Sequence, residues 1–456
     1  MIIEMTKLLN TLTMSLDYVE NEIIKVARNH GKRVGVLTNL MAKEAGYDQY
    51  TVYALTQSAV LHDCALAEYL KDELTSKNKS LDESNMAEHC IVGEKMMTKL
   101  PFYDSIRGTV LYHHERADGK GALGLTADMV PFYAQLVHLA DVVDVKFSLI
   151  SMNSNKYENI KKWLNDERDK TVSNESVDIF LKAINLETLM SITNEGCRSM
   201  INSMLPDFDN DVSLEVLKEI ASFFAKITDY KSNFTWRHSI GIAEKAESMG
   251  MYYGYDKDTC DKLYIAGALH DIGKLLIHND ILEKQGRLTS SEYSEIQNHA
   301  MGTWKLLSVV GGLEEITSWA ALHHEKLDGS GYPFGYKAEQ LGKNERLLAC
   351  LDIYQALIEQ RPYKAGLTHS EAMVILNKMG KAGQLDTDII NDINVHFKPE
   401  NEVPIVIDKD NEEVEYQGET WRCPVCGYVH HGTLQSDFIC PKCEQPGSIF
   451  ERVHND

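Results

Sequence analysis

The feature that most constrains this chain is a set of seven histidine and aspartate positions that occurs twice. In both halves a histidine precedes a His-Asp doublet by 32 residues, and a further histidine precedes a His-His-Glu triplet by 24 residues. An aspartate follows the start of that triplet by 28 or 29 residues, and the two sets are offset by 208 to 211 residues. The first cluster is His30, His62, Asp63, His89, His113, His114 and Asp141; the second cluster is His238, His270, Asp271, His299, His323, His324 and Asp352. A unit of about 200 residues is therefore repeated in tandem.

Between these positions the sequence has the periodicity of α-helices. Segments such as VLKEIASFFAKITDY, SEYSEIQNHAMGTWKLLSVV and HSEAMVILNKMG carry apolar residues at three- and four-residue spacing. Strand-like alternation first occurs at EVPIVID, near residue 402. The chain is therefore predicted to be all-α, with two tandem helical bundles and a small C-terminal module of metal-binding β-knuckles.

Breaks in this periodicity predict the domain boundaries. LPDFDNDVS, at residues 205–213, is rich in turn-forming residues, and Ser213 is placed to cap the next helix. An acidic stretch at 408–419 leads to the C-terminal module. We expect a first bundle at 1–205, a second at 206–400, a linker at 401–418 and the module at 419–456.

The repeated polar set predicts metal binding. An imidazole or carboxylate buried in an apolar helix without a partner costs several kcal/mol, and coordination of a metal removes that cost. Nitrogen and carboxylate donors without thiolate suit Fe, Mn, Zn or Ni. Five histidines and two aspartates are too many for one ion, but they suit two ions bridged by an aspartate. The adjacent residues His270 and Asp271 would then bind the same two-metal centre.

Charge and cysteine usage limit the partners and the compartment. The net charge of −22 argues against a nucleic-acid polymer or an anionic membrane as the main partner. Five of the nine cysteines are scattered singly, as in proteins of a reducing cytosol. The N-terminus lacks the features of a signal peptide, and no run of 18 apolar residues occurs. We expect a cytoplasmic protein with no membrane span, and a homodimer is left open.

The second half carries a series of motifs at fixed positions: His238, HDIGK at 270–274, His299, HHE…DGSGYP at 323–333, Asp352 and RPYK at 361–364. In these motifs it resembles the HD-GYP family of the HD phosphohydrolase superfamily. The resemblance implies metal-dependent hydrolysis of cyclic di-GMP to the linear dinucleotide or to GMP, and some members act on cyclic GMP-AMP. By resemblance, two divalent metals, Fe foremost and Mn as the alternative, occupy the second cluster.

The same resemblance implies individual roles. His238, His270, Asp271 and Asp352 would hold one metal, and Asp271 would bridge to a second held by His299, His323 and His324. Asp271 and Lys274 are the expected catalytic residues, and Lys274, Arg361 and Lys364 the expected phosphate contacts. Members with a third metal carry a glutamate one turn before the first histidine. Phe234 and Val26 stand there in this chain, so we expect dinuclear sites.

The first half departs from the family pattern outside its ligands. HDIGK is replaced by HDCAL, with Leu66 in place of the lysine, DGSGYP by DGKGAL, and no RPYK follows Asp141. All seven ligand types are kept, so we expect two more metals here without the phosphate-handling groups. A sensory copy, a copy with another substrate and a decayed duplicate are the interpretations left open.

The C-terminus carries two Cys-x-x-Cys pairs separated by thirteen residues: Cys423, Cys426, Cys440 and Cys443. Four thiolates at this spacing predict a tetrahedral Fe or Zn site. The segment from Trp421 to Glu451 resembles the rubredoxin-like module that ends rubrerythrins. That resemblance implies one redox-active iron, a redox partner, and a hypothesis that the module regulates the bundles. A structural zinc ribbon is the alternative.

Three functions follow from these patterns. The favoured one is a cyclic-dinucleotide phosphodiesterase, because Lys274, Arg361 and Lys364 form a set suited to phosphate. The alternatives are a diiron oxygenase and a diiron redox or O₂ sensor that binds a ligand without hydrolysing it.

Overall fold

The computed structural model describes most of the chain. The residues described are 2–23, 26–66, 83–100, 102–205, 209–231, 238–282, 284, 286–359, 366–399, 405–407, 414–416, 420–422, 429–431 and 451–453. The chain divides into two compact units. The first contains 1–232, 274–282 and 305–314, and the second contains 233–273, 283–304 and 315–456.

The part of the chain that precedes residue 232 forms ten described helices. They are α1 Met5–Ile23, α2 His30–Glu44, α3 Gln49–Val60, α4 Glu83–Met97, α5 Phe132–Phe147, α6 Ser154–Asp166, α7 Asn174–Ala183, α8 Leu186–Ser191, α9 Asn194–Met204 and α10 Leu214–Lys231. Ser213 accepts a hydrogen bond from the backbone N–H of Val216 at 3.3 Å, so its predicted capping role is confirmed. The boundary expected near residue 205 stays a prediction; α10, which lies beyond it, belongs to the first unit.

The described residues after 237 form eight further helices. They are α11 His238–Tyr252, α12 Lys257–Leu269, α13 Asn279–Leu282, α14 Ser290–Leu307, α15 Glu314–Ala321, α16 Lys343–Ile358, α17 His369–Lys381 and α18 Thr387–His396. Short 3₁₀ segments lie at Asp104–Ile106, Ala127–Met129, Ile272–Leu276 and Ala338–Gln340. The helices expected around residues 216–230, 291–310 and 369–380 are all present.

Within the described residues the strands are few and short. β1 Ile2–Glu4 pairs antiparallel with β2 Asp209–Asp211, and Ile3 lies opposite Asn210. β3 Ile405–Ile407 pairs with β4 Val414–Tyr416. In the C-terminal module β5 Thr420–Arg422 lies between β6 Val429–His431 and β7 Glu451–Val453. The predicted all-α fold class is confirmed. None of the helices in the described part of the chain has the length and apolarity needed to cross a bilayer.

Close helix packing brings the polar positions together. In the second unit α11 and α12 cross with almost no space between their backbones. A Cβ added to Gly267 would lie 2.8 Å from Cα of Ala243. Only glycine permits this approach, which sets the start of α11 beside the end of α12. The ring centroids of His238 and His270 consequently lie 5.6 Å apart.

Candidate functional site

Each member of the second cluster sits at a defined point of a helix. His238 begins α11, His270 directly follows α12, and His299 lies within α14. His323 comes two residues after α15 ends, and Asp352 lies within α16. In the first cluster His30 begins α2 and His62 lies two residues after α3. His89 lies within α4, His113 lies in turns that follow the 3₁₀ segment Asp104–Ile106, and Asp141 lies within α5. The duplication therefore repeats the order of these side chains and most of their placement on helices.

The structure brings the second cluster together in the interior of the second unit. The two carboxylates lie among the imidazoles: Asp271 Oδ2 is 3.1 Å from His270 Nε2, and its Oδ1 is 3.3 Å from His299 Nε2. Asp352 Oδ1 is 3.4 Å from His238 Nε2 and 3.9 Å from His270 Nε2. Asp271 thus contacts two histidines through different oxygens, which is the arrangement expected of a bridging ligand.

The remaining two histidines complete this arrangement. His323 Nε2 lies 3.4 Å from His299 Nε2, and His324 Nδ1 lies 3.6 Å from Asp352 Oδ2. Donor atoms of three subsets lie within 4.8 Å of one another: His238, His270 and Asp352; His270, Asp271 and His323; and His299, His323 and His324. These overlapping triplets are compatible with two neighbouring ions.

Five imidazoles are held in the same way by the backbone. In each, Nδ1 lies within hydrogen-bond distance of the carbonyl three residues earlier, so Nδ1 donates and Nε2 faces the cluster as an acceptor. The distances to these carbonyls are 2.8 Å for His62, 2.6 Å for His113, 2.8 Å for His270, 2.6 Å for His299 and 2.6 Å for His323. The Nε2 atoms of His62 and His270 are buried and accept no hydrogen bond. Buried acceptors of this kind fit a metal ion.

The electrostatics of the second cluster also fit a cation. Burial alone would favour neutral His238, but its hydrogen bonds with Asp352 and Glu359 raise its pKa to about 9. Burial would favour protonated Asp352, yet His238 and the other imidazoles hold its pKa far below the usual value. Burial and the neighbouring imidazoles keep the pKa of His323 well below normal, so this ring stays neutral. The ionised carboxylates are thus stabilised by nearby positive charge, and the neutral ring of His323 keeps a lone pair that can coordinate a metal.

The side chains of the first cluster also lie close together. Asp63 Oδ1 lies 3.3 Å from His89 Nε2 and 3.6 Å from His113 Nε2, and its Oδ2 lies 3.4 Å from His62 Nε2. Asp141 Oδ1 lies 3.2 Å from His30 Nε2. Asp141 Oδ2 is 3.7 Å from His114 Nδ1. All seven predicted ligands of this half therefore meet.

Sequence reasoning missed the carboxylates that orient the first histidine of each cluster. Glu359 Oε2 accepts from His238 Nδ1 at 2.9 Å, and Asp144 Oδ2 accepts from His30 Nδ1 at 2.7 Å. Asp144 also receives two hydrogen bonds from fully buried Arg33, at 2.7 and 2.8 Å. A signal was available: Asp144 follows Asp141 by three residues within α5, and Glu359 follows Asp352 by seven, directly after α16 ends.

A thiol beside the first cluster was also missed. Cys90 Sγ lies 3.7 Å from His113 Nδ1 and 4.0 Å from His89 Nε2. Burial opposes ionisation of this thiol, but the two imidazoles lower its pKa to about 6. The second half has Ala300 at the matching position, so the donor groups around the two clusters differ.

The glutamate of each His-His-Glu triplet supports a loop. The carboxylate of Glu325 accepts from the backbone N–H groups of Phe334, Gly335 and Tyr336 at 2.7, 3.1 and 2.9 Å. This holds the loop so that the ring of Tyr332 lies 4.7 Å from that of His324. The Gly329–Pro333 loop therefore lies against a histidine of the second cluster. Glu115 supports the corresponding loop of the first half through Leu123 and Leu125.

Several predicted residues lie outside the described residues. These are Arg361 and Lys364, the four cysteines Cys423, Cys426, Cys440 and Cys443, and Phe234. Lys274 is described: it is buried within the 3₁₀ segment that follows Asp271. Its contact with substrate phosphate stays a prediction.

Comparison with protein families identifies the class to which these features belong. HD-domain models match residues 28–146 and 199–389, and the model of the rubrerythrin rubredoxin-like domain matches 421–451. Each HD match contains its whole histidine and aspartate cluster. The chain is therefore a protein with two HD domains and a C-terminal rubredoxin-like domain, as the sequence predicted. HD domains bind divalent metals and rubredoxin-like domains bind iron.

The curated relatives are named phosphodiesterases of cyclic dinucleotides. The 3′3′-cGAMP-specific phosphodiesterase 1 of Vibrio cholerae is 28% identical over 374 residues, covering 80% of this chain and 86% of the relative. A cyclic di-GMP phosphodiesterase of Pseudomonas aeruginosa is 30% identical over 37% of this chain and 41% of its own length. The 3′3′-cGAMP-specific phosphodiesterase 3 of Vibrio cholerae is 34% identical over 36% of this chain and 35% of its own length.

A solved structure shares the fold. The crystal structure of a cyclic GMP-AMP-specific phosphodiesterase of Vibrio cholerae aligns with a TM-score of 0.58 at 19% identity. The alignment covers 86% of this chain and 98% of that structure. The likeness therefore extends over most of the described helices.

Proposed function

We propose that this protein is a metal-dependent phosphodiesterase that hydrolyses a cyclic dinucleotide at the second cluster. The observation that supports this most is the convergence of its seven side chains on Asp271 and Asp352, with the buried Lys274 three residues after Asp271. The names of the relatives support the substrate class. The domain boundaries at residues 205, 400 and 418 belong to the same proposal.

In this proposal one group of residues binds the metal ions and another group binds the phosphates. The five histidines with Asp271 and Asp352 would hold two divalent ions, which supply a strong nucleophile from water and stabilise charge on the phosphate. Lys274 would contribute a fixed ammonium beside the scissile phosphate, where negative charge grows in the transition state. Arg361 and Lys364 would bind the other phosphate. Nitrogen and oxygen donors suit Fe, Mn, Zn or Ni. Within this set we propose iron, with manganese as the alternative, on the basis of the resemblance to the HD-GYP family.

Cyclic di-GMP is the substrate predicted from the sequence, and 3′3′-cyclic GMP-AMP is the competing one. Relatives named for each of these dinucleotides are similar to this chain. A panel containing both, with linear dinucleotide and mononucleotide quantified as products, separates the two and shows how far hydrolysis proceeds.

The test of the proposed site is His270→Ala/Asp271→Ala in metal-loaded protein. We expect turnover to fall by at least about 10³-fold, because the variant removes the ligand shared by both proposed ions. The matched control is His278→Ala/Asp280→Ala, which removes the same two side-chain types from exposed positions a few residues later. Equal turnover in both variants would place hydrolysis elsewhere. Binding of dinucleotide without turnover by the wild type would favour the sensor.

We further propose that the rubredoxin-like module makes hydrolysis dependent on redox state. This proposal is supported by the occurrence of the rubredoxin-like module in the same chain as two clusters whose donor groups suit iron. Turnover measured anaerobically on oxidised and reduced iron-loaded protein should differ, and Cys423→Ser/Cys440→Ser should abolish the difference. Identical turnover in both states of the intact protein would reject this regulation.

A further inference from the structure

We propose that the first cluster forms the floor of a second nucleotide site, which binds its ligand without hydrolysing it. A cavity of about 530 Å³ opens over this cluster. Asp63, His89, His114 and Asp141 all line it. The metal-holding side of the cluster is therefore accessible from the cavity, and a phosphate entering it would meet any ion bound there.

The walls of the cavity are largely apolar. They are formed by Val26, Leu66, Met86, Val142, Val145 and Trp163. Leu66 is buried and occupies the sequence position that Lys274 occupies in the second half. A leucine cannot offset the charge that develops on phosphate during hydrolysis. This copy therefore retains the means to hold a phosphate while lacking the group expected to promote its cleavage.

One wall offers an aromatic face next to a cation. Trp163 is half-buried, and Phe147 packs against it edge to face with ring centroids 5.8 Å apart. The ammonium of Lys146 lies over the same indole, 5.4 Å from its centre. A base stacking on that face would take the place of the exposed ammonium, which would then pair with the phosphate attached to the base.

A second cation is fixed on the cavity wall. The guanidinium of Arg116 donates to both oxygens of Asp118 at 3.0 Å and to Thr171 Oγ1 at 3.0 Å. The one acid on the wall apart from the cluster itself is Glu167, which accepts from Thr171 Oγ1 at 2.6 Å. Neither Arg116 nor Lys146 occupies the position of a family phosphate motif, so they were not found from sequence.

Together these groups specify a ligand with a planar base and a phosphate. The cavity volume lies within the range of about 300–1,000 Å³ usual for small-molecule sites. Suitable probes are GMP, the linear guanosine dinucleotide, cyclic di-GMP and 3′3′-cyclic GMP-AMP. The inference does not depend on hydrolysis at the second cluster.

The test uses the full chain carrying His270→Ala/Asp271→Ala, so that no probe is consumed. With manganese loaded and the metal content measured, titration calorimetry should show one site per chain for at least one probe. Trp163→Leu should weaken that binding by at least about fivefold, and Trp163→Phe should retain most of it because a stacking face remains. Lys146→Glu should weaken it at least about tenfold. Lys162→Glu is the control, since Lys162 is exposed, neighbours Trp163 and does not line the cavity.

Two results would overturn the inference. One is the absence of binding by every probe in protein whose first cluster carries metal. The other is binding that neither Trp163→Leu nor Lys146→Glu weakens, since the ligand would then lie elsewhere. Lys146 is exposed, so its replacement tests the site without disturbing the core, and thermal melting confirms folding of each variant.

Discussion

At the residue scale, the carboxylate that orients the first histidine comes from a different sequence position in each cluster. Asp144 does so in the first half, and the matching residue in the second half is Gln355, whose Oε1 instead accepts from Lys245 at 2.8 Å. Glu359, one turn further on, takes over as the carboxylate partner of His238. A replacement that keeps the carboxylate–histidine pair in both copies is unexpected of a decayed duplicate.

Glu359 should therefore matter to metal affinity. We expect Glu359→Ala to weaken metal binding at the second cluster by about 10–100-fold, because His238 loses the partner that fixes its ring. Glu359→Gln should cost less, since the amide oxygen can still accept from Nδ1. Metal titration with a competing chelator measures both, with exposed Glu339→Gln as control. Unchanged affinity in Glu359→Ala would show that His238 is oriented by other contacts.

The buried ion pair of Asp144 and Arg33 predicts that the stability of the first unit depends on pH. Burial would raise the pKa of Asp144, but His30 and Arg33 lower it to about 2, against about 3.9 in an unfolded chain. A depressed carboxyl pKa contributes stability above the unfolded value, and this is lost as pH falls through the folded value. We expect the first unit to lose stability between about pH 4 and pH 2, measured by denaturant unfolding across that range.

Replacing Asp144 should separate its own contribution to stability from the effect of low pH on other carboxyl groups. Asp144→Asn should cost about 3–5 kcal/mol at neutral pH, because the buried guanidinium of Arg33 loses its carboxylate partner. The same variant should show a weaker dependence between pH 4 and 2. Asp104→Asn, which breaks an exposed pair with Arg107, should cost less than about 1 kcal/mol. Equal costs for the two variants would contradict the assigned role.

At the scale of elements, the turn after each His-Asp doublet is fitted closely to the helix that carries the next histidine. A Cβ added to Gly273 would lie 1.9 Å from the carbonyl oxygen of His299 on α14. Thr303 of the same helix accepts from Gly273 N at 3.0 Å and donates to His270 O at 2.7 Å. The first half has the reverse arrangement, with Ala65 on the turn and Gly93 on the helix. A small residue on one side or the other permits the contact.

Gly273→Ala should consequently displace the turn from α14. We expect a loss of several kcal/mol in stability and reduced metal occupancy at the second cluster, because Asp271 and His299 would separate. Gly380→Ala is the matched control, since an added Cβ there would lie 3.0 and 3.1 Å from the side-chain ends of Ile390 and Thr387, and 3.9 Å from the nearest backbone atom, Leu385 O. Thermal unfolding and metal analysis measure both. A mild effect of Gly273→Ala would mean that the turn relaxes without opening the cluster.

At the scale of the whole molecule, the two clusters predict a metal content. Each should hold two divalent ions, and the four cysteines at the C-terminus one more. His62→Ala/Asp63→Ala should remove about half of the metal outside the cysteine site while leaving the second cluster loaded, because the clusters share no ligands. Metal analysis combined with Mössbauer spectroscopy on anaerobically purified protein gives these numbers. No loss of metal in that variant would show that the first cluster binds none.

The sequence by itself determined the helical class, the duplication and the identity of the converging side chains. Periodic apolar residues dictate helices, and His and Asp repeated at nearly constant spacing indicate a duplicated unit. Only the tertiary structure showed Glu359, Asp144 and Arg33 behind the first histidines, and Lys146 with Trp163 beside the first cluster. These contacts join helices or turns whose relative positions depend on packing. The spacing of Asp144 from Asp141 and of Glu359 from Asp352 marks both acids as candidates, but it does not give their distance to the first histidine.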